Sequence, residues 1–322
     1  MTTALTRSIN GSVITDPAAK QVLQAALADL QGLRAVQATV LRASATIDVT
    51  SLADGAGATS TVTVPGAALG DLVLVSHGLD LQGISVSAWV SAVDVVSIRF
   101  QNESAGTLDL ASTTARVMVI PLMAAMRGIL SPNCLYGAAT LDLGSLVDAA
   151  GQTATVTVTG AALGDLALVS HGIDTSGILV SGYVSAADTV SARFQNETAG
   201  TLDIASAQLR AVVIPSGSLT SAFGGQLLTN SVTYDAASLS DAAGTTKTVS
   251  VPGAALGDFA MASLSVDLAG ITMTAYVSAA DTVAVRLQNE SGGTLDLASA
   301  TLRVAVLPKG VTSMAAPLSL AA

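Results

Sequence analysis

The residues in this chain that could do chemistry are few, and most of them recur. His77 and His171 sit at matching places in two similar stretches, and a third such stretch carries Leu264 there. A catalytic or metal-binding histidine needs further ligands or an orienting partner nearby. The local sequence offers only Asp80 or Asp174, so the simpler reading is a polar residue at a strand end. Ser76 precedes His77, but adjacent strand residues point to opposite faces, which rules out a catalytic dyad.

Arg99, Arg193 and Arg286 recur just before Asn102-Glu103, Asn196-Glu197 and Asn289-Glu290, and a second set is Arg116, Arg210 and Arg303. A guanidinium pairs with a carboxylate through a planar fork, and Asp94, Asp188 and Asp281 are close enough in sequence to serve. These six arginines are expected to brace a sheet or an interface, with ligand binding as the alternative. Asp71, Asp80, Asp94 and Asp109 recur in every copy. A calcium site needs several oxygens converging from one loop, whereas these stand singly and are expected to bond turn backbone. Asn102-Glu103-Ser104 is formally a glycosylation acceptor. No nucleophile elbow, phosphate loop, zinc spacing or paired-carboxylate motif occurs. No catalytic, cofactor-binding or metal residues are therefore expected, and the chain is not expected to be an enzyme.

These residues recur because the chain repeats. Gly66–Pro121, Gly160–Pro215 and Gly253–Pro308 align without a gap. Upstream, Asp54, Asp148 and Asp241 fall in the same frame. In the first copy the strand candidates are Ala45–Thr50, Ser60–Val64, Leu72–His77, Ile84–Val90, Val95–Asn102 and Ala115–Ile120. Alternation is clear in Ile84–Val90, and Gly70-Asp71, Gly83 and Ala105-Gly106 are turn residues between strands. The expected fold is all-β: three tandem small antiparallel β-sandwich (Ig-like) domains at 44–121, 136–215 and 230–308, with a compact barrel as the alternative. A tail follows at 309–322.

An N-terminal helical segment, 1–43, precedes them. Asp16-Pro17 is a good helix start, and Leu23, Leu27, Leu30 and Leu33 form a stripe at helical spacing that could dock on a partner. Between the modules, Leu122–Leu135 is apolar and Ser216–Thr229 is neither charged nor Pro-rich, so the modules are expected to pack rather than hang as beads.

Half of the residues are apolar, only 11% are charged and 3% are aromatic. The core must then be aliphatic, and part of the surface must be weakly polar, as in subunits of assemblies. The net charge of −10 argues against nucleic-acid binding. Val117–Met126 is too short to span a bilayer and contains Pro121, so no membrane partner is expected. The N-terminus lacks a continuous apolar core, and no secretory leader is expected. Cys134 alone makes no disulfide framework.

The string Pro252–Asp258, then Tyr276–Asp296, then Leu302–Val306 resembles modules of tailed-bacteriophage virion proteins: capsid decoration, head-fibre and tail-fibre-like proteins. Copy two departs at Thr159, and copy one at Val93 and Val95. The resemblance covers the three repeats and carries no catalytic residue. It implies a structural protein that docks on the capsid lattice, with the major capsid protein or other virion proteins as partners, assembled in the host cytoplasm and located in the virion. A homo-oligomer is expected. A trimer suits a spike, and three repeats around a pseudo-threefold axis within one chain is the other arrangement. A tail-fibre or baseplate receptor binder is the alternative, which calls for exposed aromatics, whereas Trp89, Tyr183 and Tyr276 read as core. A surface adhesin is the third reading.

Overall fold

The structure is a computed structural model that describes residues 21–22, 24–25, 40–121, 134–220 and 222–310. Among them the chain is nearly all-β and built from small antiparallel sheets. The expected docking stripe Leu23, Leu27, Leu30 and Leu33 lies outside the described residues. Gln21, Val22, Gln24 and Ala25 are helical and exposed.

Repeat 1 contains β1 (Leu41–Leu52), β2 (Gly57–Thr63), β3 (Leu72–His77), β4 (Ser85–Ala92), β5 (Val95–Gln101) and β6 (Leu108–Ile120). They form two sheets, ordered β1-β6-β3 and β2-β5-β4. Repeat 2 contains β7 (Leu135–Leu141), β8 (Ser145–Leu146), β9 (Gly151–Thr157), β10 (Leu166–His171), β11 (Leu179–Ala186), β12 (Thr189–Gln195), β13 (Leu202–Asp203) and β14 (Ala207–Ile214). Its sheets are β10-β14-β7 and β11-β12-β9, with β8 and β13 as an outlying pair. Repeat 3 contains β15 (Leu228–Tyr234), β16 (Gly244–Ser250), β17 (Phe259–Leu264), β18 (Thr272–Ala279), β19 (Thr282–Gln288) and β20 (Ala300–Leu307), in sheets β15-β20-β17 and β16-β19-β18.

Within each repeat the two sheets share a core. In repeat 1, Val62, Val96, Ile98 and Phe100 of one sheet pack with Ile47, Val49, Val117 and Val119 of the other. The period of two explains the choice: Val86 and Ala88 pair with Phe100 and Ile98 on the inner face, while Ser85, Ser87 and Trp89 fall on the outer face with Gln101, Arg99 and Ser97. Asp94, Asp188 and Asp281 close the β4–β5, β11–β12 and β18–β19 hairpins in the left-handed region, at φ 63°, 58° and 58°, which Asp tolerates better than most residues.

The first strand begins earlier than expected. Residues 41–43 are strand rather than helix: Leu41 pairs with Val119, and Leu41, Ala43 and Ala45 pack on the repeat 1 core.

A fourth core cluster belongs to no single repeat. It gathers Leu72, Leu74, Met118 and Ile120 of repeat 1, Leu166, Val212 and Ile214 of repeat 2, and Phe259, Met261 and Leu307 of repeat 3. Leu219, Ala222, Phe223 and Leu227, from the segment between repeats 2 and 3, join it. Val73 and Val75 face the repeat's own core while Leu72 and Leu74 face this shared one. The sheet is therefore apolar on both faces, the condition for burial on both.

Candidate functional site: three junctions around one axis

The repeats close a ring. Arg99 donates from Nη2 to the Glu197 carbonyl of repeat 2. Arg193 donates to the Glu290 carbonyl of repeat 3 at 2.6 Å, and Arg286 to the Glu103 carbonyl of repeat 1 at 2.6 Å. Each contact repeats the last, and the third returns to the first repeat.

Each guanidinium is also held within its own strand. Arg99, Arg193 and Arg286 donate to Gln101, Gln195 and Gln288 Oε1 at 2.7, 2.6 and 2.6 Å. Those glutamines pass the chain on, donating at 2.7 Å to Glu103, Glu197 and Glu290. The Arg–Gln layer lies over Gly57, Gly151 and Gly244, where a β-carbon would collide with both side chains. Asp94, Asp188 and Asp281, the partners expected for these arginines, instead accept the amides of Gly66, Gly160 and Gly253. A carboxylate at a hairpin tip finds unpaired amides nearby, and the arginines point across the sheet to the next repeat.

The second arginine set faces the other way round the ring. Arg116 lies against Gly257, Arg210 against Gly70 and Arg303 against Gly164, each at a neighbour's backbone too close for a β-carbon. Beside them Ser76, Ser170 and Ser263 donate to the carbonyls of Gly257, Gly70 and Gly164 at 2.8, 2.8 and 2.9 Å. All three glycines have positive φ, between 85° and 90°, a backbone reserved for glycine.

The recurrent aromatics are junction residues, not core residues of their own repeat. Trp89 Nε1 donates to Asp174 Oδ1 of repeat 2 at 2.5 Å. Tyr183 accepts the Gly270 amide of repeat 3 at 2.9 Å, and Tyr276 accepts the Gly83 amide of repeat 1 at 3.0 Å. Tyr183 packs in the repeat 3 cluster and Tyr276 in the repeat 1 cluster. Burial is the main reason both phenols titrate above their ordinary value. Tyr183→Phe keeps the ring and leaves a buried amide unpaired. It is expected to lower stability by about 1–2 kcal/mol in urea unfolding.

The aspartates at turns bond backbone, though not always in their own turn. Asp71, Asp165 and Asp258 accept the amides of Ala68, Ala162 and Ala255, and Asp54, Asp148 and Asp241 reach across to Ala105, Ala199 and Gly292. The glycosylation-type asparagines are wholly buried. Among the described residues no three His, Cys, Asp or Glu groups are placed to hold a metal ion, and no helix is long and apolar enough to cross a membrane.

Burial raises Glu103, Glu197 and Glu290 above the usual carboxylate value, Glu197 to about 7. The Gln195 hydrogen bond opposes this for Glu197, and the charges of Glu103, Glu290 and Asp148 reinforce it. A carboxyl group whose folded pKa is raised favours folding while protonated. Its contribution is lost as pH climbs from the unfolded value near 4.5 through about 7. Glu197→Gln removes the titration and keeps the acceptor. The variant is expected to melt above the parent at about pH 8, with the gap closing towards about pH 4.

The junction elements that residue types alone did not single out are Gln101, Gln195 and Gln288, the three serines and Phe223. The recurring Arg-x-Gln, and apolar runs such as Leu72–Val75 in place of alternation, are the signals for them. Comparisons with protein-family models, with curated proteins and with solved structures give no match.

Proposed function

We propose that this chain is a structural virion protein of a tailed phage, a capsid decoration (cement) or head-fibre protein that docks on the capsid lattice. In this reading its three repeats are Ig-like sandwich domains, and its partner is the major capsid protein or another virion protein.

One observation carries the reading. The points at which the chain enters and leaves each repeat all lie at the end that holds the shared apolar cluster. Leu41, Leu135 and Leu228 pair with Val119, Val213 and Val306, so each repeat starts beside the place where it ends. Leu72, Leu166 and Phe259 of the shared cluster pair with Ile120, Ile214 and Leu307 at that same end. The cluster itself is buried; a ring whose connecting segments all attach at one end suits a plug that sits on a larger surface by that end and leaves its other end free. Leu69 and Leu163, each more than two-fifths exposed, lie in the loops leading into β3 and β10 at that end.

The threefold arrangement that three chains would supply is built here within one, and the inner edge strands β3, β10 and β17 face one another. Self-assembly beyond one chain would therefore use the outer faces. The receptor-binding alternative is less favoured, because Trp89, Tyr183 and Tyr276 are committed to junctions rather than offered to a glycan.

Cryo-electron microscopy of the virion tests the proposal: density for this chain is expected on the capsid shell, and density confined to the tail would reject it. Deleting Met1–Val40 tests the docking element. Unchanged capsid occupancy would remove the N-terminal segment from that role.

A further inference from the structure

Two of the three junctions contain a feature that the third lacks. Where repeats 1 and 2 meet, His171 is 6% exposed and neither ring nitrogen has a hydrogen-bond partner among the described residues. Thr175, 2% exposed, also has an unpaired hydroxyl. Both line a crevice of about 40 Å³, closed from repeat 1 by Asp71 and Trp89. Where repeats 3 and 1 meet, His77 is equally buried and its Nε2 is unpaired, in a crevice of about 30 Å³ faced by Asp258 and Tyr276. At the junction of repeats 2 and 3 the same position is Leu264, packed into an apolar cluster. Repeat 1 is thus flanked by histidine on both sides.

We propose that acid loosens the ring on both sides of repeat 1 while the junction between repeats 2 and 3 holds.

Each imidazole lies edge-on to a phenylalanine, His77 to Phe100 and His171 to Phe194, with centroids 5.6 and 5.7 Å apart. Protonation would put a full charge and a second N–H into a site with almost nothing to receive them. Asp71 and Asp258, the carboxylates that face the crevices, each hold an amide of their own loop, and Asp258 also lies 3.9 Å from Lys309 Nζ. Tyr276 is committed to the Gly83 amide. Burial lowers both histidines below their ordinary value. The Arg210 charge adds to this at His171, and the Leu79 carbonyl works against it at His77.

A base with a depressed folded pKa costs nothing above its unfolded value near 6.5 and destabilises below it, because the open form takes the proton first. At about pH 5.5 this favours opening by up to about tenfold per histidine. The carboxylates of Glu103, Glu197 and Glu290 act in the opposite sense, so the histidine effect is read as a difference between variants at one pH.

The chain's single tryptophan is Trp89, which reports on the first junction. The Gly83 and Gly270 amides, each bonded to a tyrosine across a junction, report on the other two. On the full chain, moving from about pH 7.5 to about pH 5.5 is expected to shift Trp89 emission to the red. Gly83 exchange should speed by several-fold beyond its intrinsic pH dependence, with Gly270 unchanged. His171→Leu should abolish the tryptophan shift, and His77→Leu the Gly83 response. Leu264→His, the reciprocal change, should make Gly270 acid-sensitive. Parent-like acid responses in the double leucine variant would overturn the proposal, as would equal loosening at Gly83 and Gly270 in the parent.

Discussion

Replacing Phe223 with alanine is expected to lower the stability of the whole chain by about 3–5 kcal/mol, the range for removing a fully buried aromatic ring. Phe223 lies in the segment between repeats 2 and 3, where an independent string of domains would place a tolerant linker. It is completely buried, in the cluster that holds Leu72 of repeat 1, Leu166 of repeat 2 and Phe259 of repeat 3. Its backbone is left-handed, at φ 52°. Alanine keeps that cost where glycine would relieve it, so the measured loss reports the side chain. A linker substitution that touched nothing would stay within about 0.5 kcal/mol. Denaturant unfolding followed by tryptophan fluorescence and by circular dichroism checks both size and character. Trp89 belongs to the junction of repeats 1 and 2 and not to that cluster. A coincident shift of both probes would therefore show that the shared cluster couples all three repeats.

Asn196→Ala is expected to cost about 2–4 kcal/mol, although it deletes only one small polar side chain. Asn196 is wholly buried. Its Nδ2 donates to the carbonyls of Leu146 and Gly200 at 2.8 and 2.7 Å. Its Oδ1 accepts from the Thr198 amide and hydroxyl at 3.1 and 2.7 Å. Alanine leaves the Leu146 carbonyl buried and unpaired, which is the expensive outcome. The same loop presents the Glu197 carbonyl that receives Arg99 from repeat 1, so local loosening reaches a junction. Asn196→Asp should be no better, because it turns an acceptor towards two carbonyls. Urea unfolding of both variants checks this, and a loss under about 1 kcal/mol would show that the loop is held by other contacts.

Much of this fold is legible in the residue order. The repeat frame and most strands follow from local pattern, because alternation along a strand is a property of neighbouring residues. The strand expected at Leu72–His77 has those bounds in the structure, and Gly70, Gly83, Asp71, Asp80 and Asp94 are found at turns as expected, but Asp109, also expected at a turn, lies within β6. Type and recurrence mark the arginines as bracing residues but do not reveal what they brace. Asp94 is near Arg99 in sequence, yet the group that meets Arg99 is a backbone carbonyl of the next repeat. Carbonyls have no residue type, so no pattern marks them. Likewise Trp89, Tyr183 and Tyr276 read as core by residue type, yet Trp89 shares its face with Ser85 and Ser87, and only the arrangement of the repeats shows that the three cross to a neighbour.

What the amino-acid order determines here is therefore local: three copies of one antiparallel unit, aliphatic cores, polar tips at hairpins, and the loss of histidine in the third copy. Whether three such units hang apart or close on each other is decided in three dimensions. Ring closure depends on surfaces contributed by residues far apart in the chain, such as Arg286 and the Glu103 carbonyl. It also needs a sheet that is apolar on both faces, so that its outer side has something to bury. The composition, with few charges and much aliphatic surface, requires that surface to be covered. The tertiary structure decides that much of the cover comes from the chain's own other repeats.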